Sequence, residues 1–141
     1  MADDMAQEVW RPAPGFEGDL EVSSLGRVRT VFRRDANGHR WPAVTLTLCP
    51  SNLGYLFARP RIRCRRVSVS VHRSVARAFL GPPNGLEVNH KSGIKADNRV
   101  ENLEYVTRSE NMKHAFRLGL VTLPNRWNGD TQKIKTIGTS E

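Results

Sequence analysis

Between Leu86 and Phe116 the chain reads LEVNHKSGIKADNRVENLEYVTRSENMKHAF, and local chemistry leaves this segment few ways to fold. LEVNH at its start and LEYVT at 103–107 read as short strands, since apolar and polar residues alternate along them. KSGIKADNRVEN between them is a polar loop of twelve residues. Thr107-Arg108-Ser109-Glu110 has the spacing of a capping box, in which the first hydroxyl and the fourth carboxylate each bond the other's backbone N–H. A helix therefore begins near Arg108, and Gly119 after Leu118 ends it. The predicted order is strand, loop, strand, helix. The same stretch holds two histidines and four asparagines, more than turns and caps require.

The rest of the chain is punctuated into short pieces. Residues 1–8 read as disordered. Pro12, Pro14, Gly15 and Gly18 make turns, and Leu20 and Val22 alternate with polar neighbours up to a turn at Ser23, Ser24 and Gly26. Val28, Thr30 and Phe32 then share one face of a strand whose other face carries Arg27, Arg29 and Arg33. Asp35–His39 is a hairpin turn, 43–48 a strand, and 59–74 the most basic strand region. A short helix is predicted over 73–80, stopped by Gly81-Pro82-Pro83. No internal repeat is visible, and the polar stretch 121–141 reads as a loosely ordered tail.

Charge narrows the partner. The formal net charge is +8, and no acidic residue occurs between Asp35 and Glu87, an interval that contains eight arginines. Arginine dominates lysine where phosphates are gripped by forked hydrogen bonds. A membrane surface would favour a basic amphipathic helix, whereas this stretch reads as strands. No run approaches the roughly 18 apolar residues of a membrane span, and MADDMAQEVW lacks the apolar core of a signal peptide. The expected partner is nucleic acid, with no membrane, and the expected location is the cytoplasm. Cys49 and Cys64 form no C-x-x-C pair, so free thiols are expected rather than a zinc site.

The histidines and asparagines suggest the chemistry. Asn111 and His114, three apart, lie on neighbouring positions of one helix face. A hairpin packed on that helix places Asn89 and His90 close by. Phosphodiester hydrolysis needs a divalent cation to polarise the phosphate and stabilise the leaving oxygen. It also needs a base with a pKa near neutrality, a task that suits histidine. Asparagine offers neutral oxygen ligands to a hard ion, Mg²⁺ or Mn²⁺. Each residue has a structural alternative at this point. His90 can be a hydrogen-bonded strand end, Asn111 a solvent-facing helix residue, Asn98 and His39 turn residues, and His72 a partner in a structural hydrogen bond. Glu104 and Glu110 are carboxylates near the site, the latter accounted for by the cap.

VHRSVARAF followed by VNHKSGIKADNRVENLEYVTRSEN resembles an HNH endonuclease of the phage and homing type. EVWRPAPGFEGDLEVSSLGRVRT resembles the NUMOD4-like module that often precedes such domains. The resemblance implies an α+β fold: a small β-rich basic N-terminal module at 9–65, then a ββα-metal nuclease domain at 66–120 around one divalent ion, with 1–8 and 121–141 outside both. It implies that His90 is the general base and that Asn102 fixes the loop and so orients His90. Asn111 and Asn89 become metal ligands, and His114 a third ligand or a phosphate contact. Asn89 stands where many relatives have aspartate, so neither asparagine brings a full charge, and weak metal binding without DNA is expected. Arg27, Arg29, Arg33, Arg59, Arg61, Arg63, Arg65, Arg66 and Arg73 would track the phosphate backbone, and Lys91 and Lys95 the phosphates beside the cut.

The leading expectation is a metal-dependent DNA endonuclease that nicks, or cuts both strands as a homodimer. The short stretch after Gly119 leaves little room for a further DNA-reading module, so low specificity, or specificity supplied by a protein partner, is expected. A non-catalytic DNA-binding protein on the same scaffold is the alternative, kept open by Asn89. An RNA-binding protein is the third.

Overall fold

The computed structural model describes residues 7–120. The tail expected at 121–141, and all but two residues of the disordered start expected at 1–8, lie outside the described residues. The N-terminal half is a set of small antiparallel sheets. β1 (Trp10–Pro12), β2 (Leu20–Ser23) and β3 (Val28–Thr30) form the first, in that order. Its alternating residues Leu20, Val22 and Val28 are fully buried, as their period of two predicts. β4 (Arg33–Arg34) and β5 (Arg40–Trp41) form the expected hairpin, with Asp35 Oδ1 accepting from the N–H groups of Asn37 and His39.

Two expectations for this half change. The predicted strand 43–48 reduces to a bridge from Thr45 to Arg29: Leu46 and Leu48 pack against the core, but Val44 on the same face is left exposed to solvent. Only Cys49–Pro50 (β6) beyond it pairs as a strand, with β7 (Leu56–Ala58). The basic stretch 59–74 breaks into a hairpin, β8 (Arg61–Ile62) and β9 (Arg65–Arg66), and a last strand β10 (Val69–Ser70) that pairs with β7. Arg63 and Cys64 turn the hairpin with φ of 49° and 67°. Those left-handed values normally call for Asn or Gly, so the residues gave no warning of this turn.

α1 (Val71–Leu80) starts two residues before the predicted helix, since Val71 and Val75, four apart, both face the core. Gly81, with φ 89°, ends it. β11 (Glu87–His90) and β12 (Leu103–Val106) follow as an antiparallel pair in the register Asn89↔Glu104 and His90↔Leu103. α2 (Arg108–Arg117) begins at the predicted capping box, both bonds of which are present, and closes before Gly119 at φ 69°.

One hydrophobic cluster joins the two halves. Leu20, Val22 and Val28 of the first sheet pack with Ala58, Val69, Val71, Val75, Ala76 and Leu103. α1 is the pivot, touching β2 on one side and β12 on the other. α2 has no buried residue, and Asn111 and His114 bond it to β11 and to the loop after it.

Candidate functional site

β11 delivers Asn89 and His90 to the edge of the hairpin, and both are buried. The loop after them is fixed by one side chain. Asn102 Oδ1 accepts from the Ser92 N–H at 3.0 Å and its Nδ2 donates to the Asp97 carbonyl at 2.8 Å, while its own carbonyl accepts from the Lys91 N–H. Buried polar groups must be paired, and this asparagine satisfies three at once.

His90 Nε2 lies 2.9 Å from Asn98 Oδ1. An amide oxygen only accepts, so Nε2 carries the proton and Nδ1 keeps its lone pair. Burial pushes the His90 pKa below the ordinary histidine range, and the Asn98 bond partly opposes the shift. Asn98 is only 3% exposed although it sits in a loop. It is braced from the N-terminal half: Val100 N–H donates to the Ser24 carbonyl, and Gly26 approaches so closely that a Cβ there would meet Asn98 backbone carbon at 2.9 Å. Sequence alone assigns Asn98 to a turn. Its companion role was invisible because the brace comes from residues more than seventy positions away. On the expectation that His90 is the general base of a DNA endonuclease, replacing Asn98 by alanine should slow cleavage about 10- to 100-fold, part of the 10²–10⁴ such a base contributes, with DNA affinity unchanged in a gel-shift titration.

α2 closes the other side. Asn111 Nδ2 donates to Glu87 Oε2 at 2.8 Å, and Asn89 Nδ2 donates to Glu104 Oε1 at 2.8 Å. His114 Nε2 donates to the Lys91 carbonyl at 3.1 Å, which leaves only its Nδ1 for any further partner. Asn89, His90, Lys95, Asn111 and His114 line one cavity of about 190 Å³, with Tyr55 at its wall. Asn102 lies outside that lining and shapes the loop. Among the described residues no three His, Cys, Asp or Glu side chains converge as a metal site, and the cavity lining includes the amides of Asn89 and Asn111 but no carboxylate.

Tyr55 and His72 were not foreseen here. Their rings stack at 4.8 Å, and His72 stands 5.3 Å from the ring of His90. Ser70 Oγ bonds His72 Nδ1 at 3.1 Å, the structural bond expected for this residue. Burial, followed by the nearby His90 and Arg73, lowers the His72 pKa to about 4. The unfolded chain takes up that proton near the ordinary value of about 6.5, the folded one only near 4, so stability is full above 6.5 and falls as pH drops through this window. His72 should account for about 2 kcal/mol of stability lost between pH 7 and pH 5. Urea unfolding of wild type and His72→Phe at the two values checks this, the variant losing less.

The arginines separate into two groups. Arg27 pairs with Glu8, Arg29 with Glu21, and Arg33 and Arg63 with Asp19. Arg29 also lies 4.0 Å over the Trp10 ring. Arg59, Arg61, Arg65, Arg66 and Arg73 are exposed and have no ion pair among the described residues. Lys91 is exposed, whereas Lys95 donates to the Leu53 carbonyl and lies 4.8 Å over Tyr55.

Comparisons with known proteins converge on this segment. Residues 69–113 match the family model for HNH endonucleases, and residues 8–63 match the NUMOD4 motif. The chain is 35% identical over 127 residues to an uncharacterized HNH endonuclease of Acanthamoeba polyphaga mimivirus, covering 84% of this chain and 29% of that one. It is 29% identical over 118 residues to the DNA endonuclease I-HmuI of Bacillus phage SP01, 81% of this chain and 61% of the relative. A solved structure of the HNH homing endonuclease I-HmuI, described as showing DNA binding and cleavage, superposes with a TM-score of 0.65 and 28% identity, over 93% of this chain and 68% of that one. The chain thus spans less than two thirds of both curated relatives. No helix among the described residues is long and apolar enough to cross a membrane.

Proposed function

An HNH endonuclease region lies at residues 69–113 of this chain, behind a NUMOD4 motif at 8–63, and on that premise we propose that the protein is a divalent-metal-dependent DNA endonuclease. The observation that carries the reading is His90, bonded from behind by Asn98 and lining one cavity with Asn89, Asn111 and His114. The donor set fits a hard cation such as Mg²⁺ or Mn²⁺: Asn89 and Asn111 commit their Nδ2 groups to carboxylates and keep Oδ1 for it. Bound there, one such ion would polarise the phosphate and stabilise the departing 3′ oxygen.

The protein's own part is acid–base chemistry and positioning. His90, held neutral by burial, takes the proton of the attacking water at Nδ1. Asn98 holds the ring in that tautomer from the Nε2 side. Asn102 keeps the loop from Lys91 to Asp97 closed around it. Lys95, at the cavity wall, faces the phosphates beside the cut. The exposed Arg59, Arg61, Arg65, Arg66 and Arg73 track the backbone, contacts that confer salt-sensitive affinity without sequence information. Arg27, Arg29, Arg33 and Arg63 reach DNA only by leaving their carboxylate partners, so they contribute less.

A supercoiled-plasmid assay tests the reading. Nicked product should form with Mg²⁺ or Mn²⁺ and vanish with EDTA. Salt-sensitive binding without cleavage in any divalent ion would instead make this a DNA-binding module on the nuclease scaffold.

A further inference from the structure

Two neutral amides make a weak attraction for a divalent ion, yet each amide in this site is paired with a carboxylate. Asn89 Nδ2 donates to Glu104 Oε1 and Asn111 Nδ2 donates to Glu87 Oε2, both at 2.8 Å. We propose that Glu104 and Glu87 are positioning residues that turn Asn89 and Asn111 into a cation site, fixing each amide with its oxygen outward and supplying negative charge from behind. The proposal rests on the metal-dependent reading above.

The sheet register makes the pairing possible. Asn89 and Glu104 are directly opposed across β11 and β12, so their side chains leave the same face of the hairpin. Glu87, two residues before Asn89, shares that face. α2 then sets Asn111 against Glu87 from above. Glu87, Asn89, Glu104 and Asn111 thus form two parallel amide–carboxylate pairs, one within the hairpin and one between hairpin and helix.

The chemistry rests on what each group can do. An asparagine amide has two faces, a donor NH₂ and an acceptor oxygen, and a loose one can present either. A carboxylate only accepts, so it selects the NH₂ and turns the oxygen the other way. The same bond draws electron density toward the amide oxygen and makes it a better ligand. The two carboxylates also place two negative charges close to where a cation would sit, and charge attraction persists over several ångströms in a partly buried site. The missing aspartate at position 89 is replaced in effect by an asparagine with a glutamate behind it.

Titration of Mn²⁺ into the full chain, followed by loss of the free-ion electron paramagnetic resonance signal, tests this. Wild type is compared with Glu104→Gln, Glu87→Gln, the double variant, Asn89→Ala, Asn111→Ala and the exposed control Glu101→Gln. Glutamine keeps the acceptor oxygen and the shape but removes the charge. Each single Gln variant should weaken Mn²⁺ binding several-fold, and the double variant by about 10- to 100-fold. Near-ultraviolet circular dichroism should match wild type, and Glu101→Gln should bind as wild type does. Two independent pairs guard against one variant misfolding. Unchanged affinity in both single Gln variants, with binding lost in the Asn→Ala variants, would overturn the proposal and leave the metal site standing. Loss in the Gln variants with normal binding in Asn→Ala would make the carboxylates themselves the ligands, and also overturns it. Wild type that takes up no Mn²⁺, alone or with duplex DNA, would remove the metal-dependent reading and the proposal together.

Discussion

Replacing His90 by alanine should lower the rate of plasmid nicking by about 10²–10⁴-fold while duplex affinity stays within a factor of a few. The reason is the division of labour in the site. The exposed arginines proposed to track the DNA backbone lie on β8 and β9, just before them and on α1, and none of them lines the cavity that His90 lines. The imidazole is enclosed by Tyr55, His72 and Asn98, so alanine also leaves a void. His90→Gln separates the two effects: it refills the space and offers Asn98 a donor, but it has no basic nitrogen. Both variants should be inactive in single-turnover assays. A glutamine variant that cleaves at the wild-type rate would show that some other group takes the water's proton.

Leu20→Ala should destabilise the whole protein by about 2–5 kcal/mol, the range for emptying a buried leucine site. Leu20 belongs to the NUMOD4 segment, yet it is fully buried in the cluster that contains Val71, Val75 and Ala76 of α1. Urea unfolding followed by tryptophan fluorescence and by circular dichroism should give one shared transition, displaced to lower urea in the variant. By the same argument residues 66–120 expressed alone should not fold, because α1 would expose the face that β2 covers. A cooperative unfolding transition for that fragment would count against a shared core. Cleavage should fail along with stability, since the Ser23–Gly26 turn just after Leu20 braces the loop of Asn98.

Much of the hairpin and α2 was legible because the signals are local. Alternation in LEVNH and LEYVT, the Thr107–Glu110 box and Gly119 each act within a few residues, and every one of them appears in the structure. Local patterns also yielded the Asp35–His39 turn, but they missed the Arg63–Cys64 turn, where hairpin closure overrides residue preference. The strand predicted at 43–48 is reduced to a single bridge: its alternation placed Leu46 and Leu48 against the core, but alternation does not show how far a partner strand runs alongside.

The site divides along the same line. Residue types and spacing pointed to His90, Asn89, Asn111 and His114 as candidates, and the resemblance added Asn102 and joined them. Which nitrogen of His90 carries the proton, which way each amide faces, and which arginines are already paired depended on contacts between segments far apart in the chain. Asn98 reads as a turn residue until Ser24 and Gly26 close over it, and Glu104 as a spare carboxylate until the strand register sets it opposite Asn89. Sequence by itself determined the hairpin, the two helices and the chemical inventory, because those depend on neighbours along the backbone. Tertiary structure alone decided orientation and charge pairing, because hydrogen bonds and ion pairs act through space.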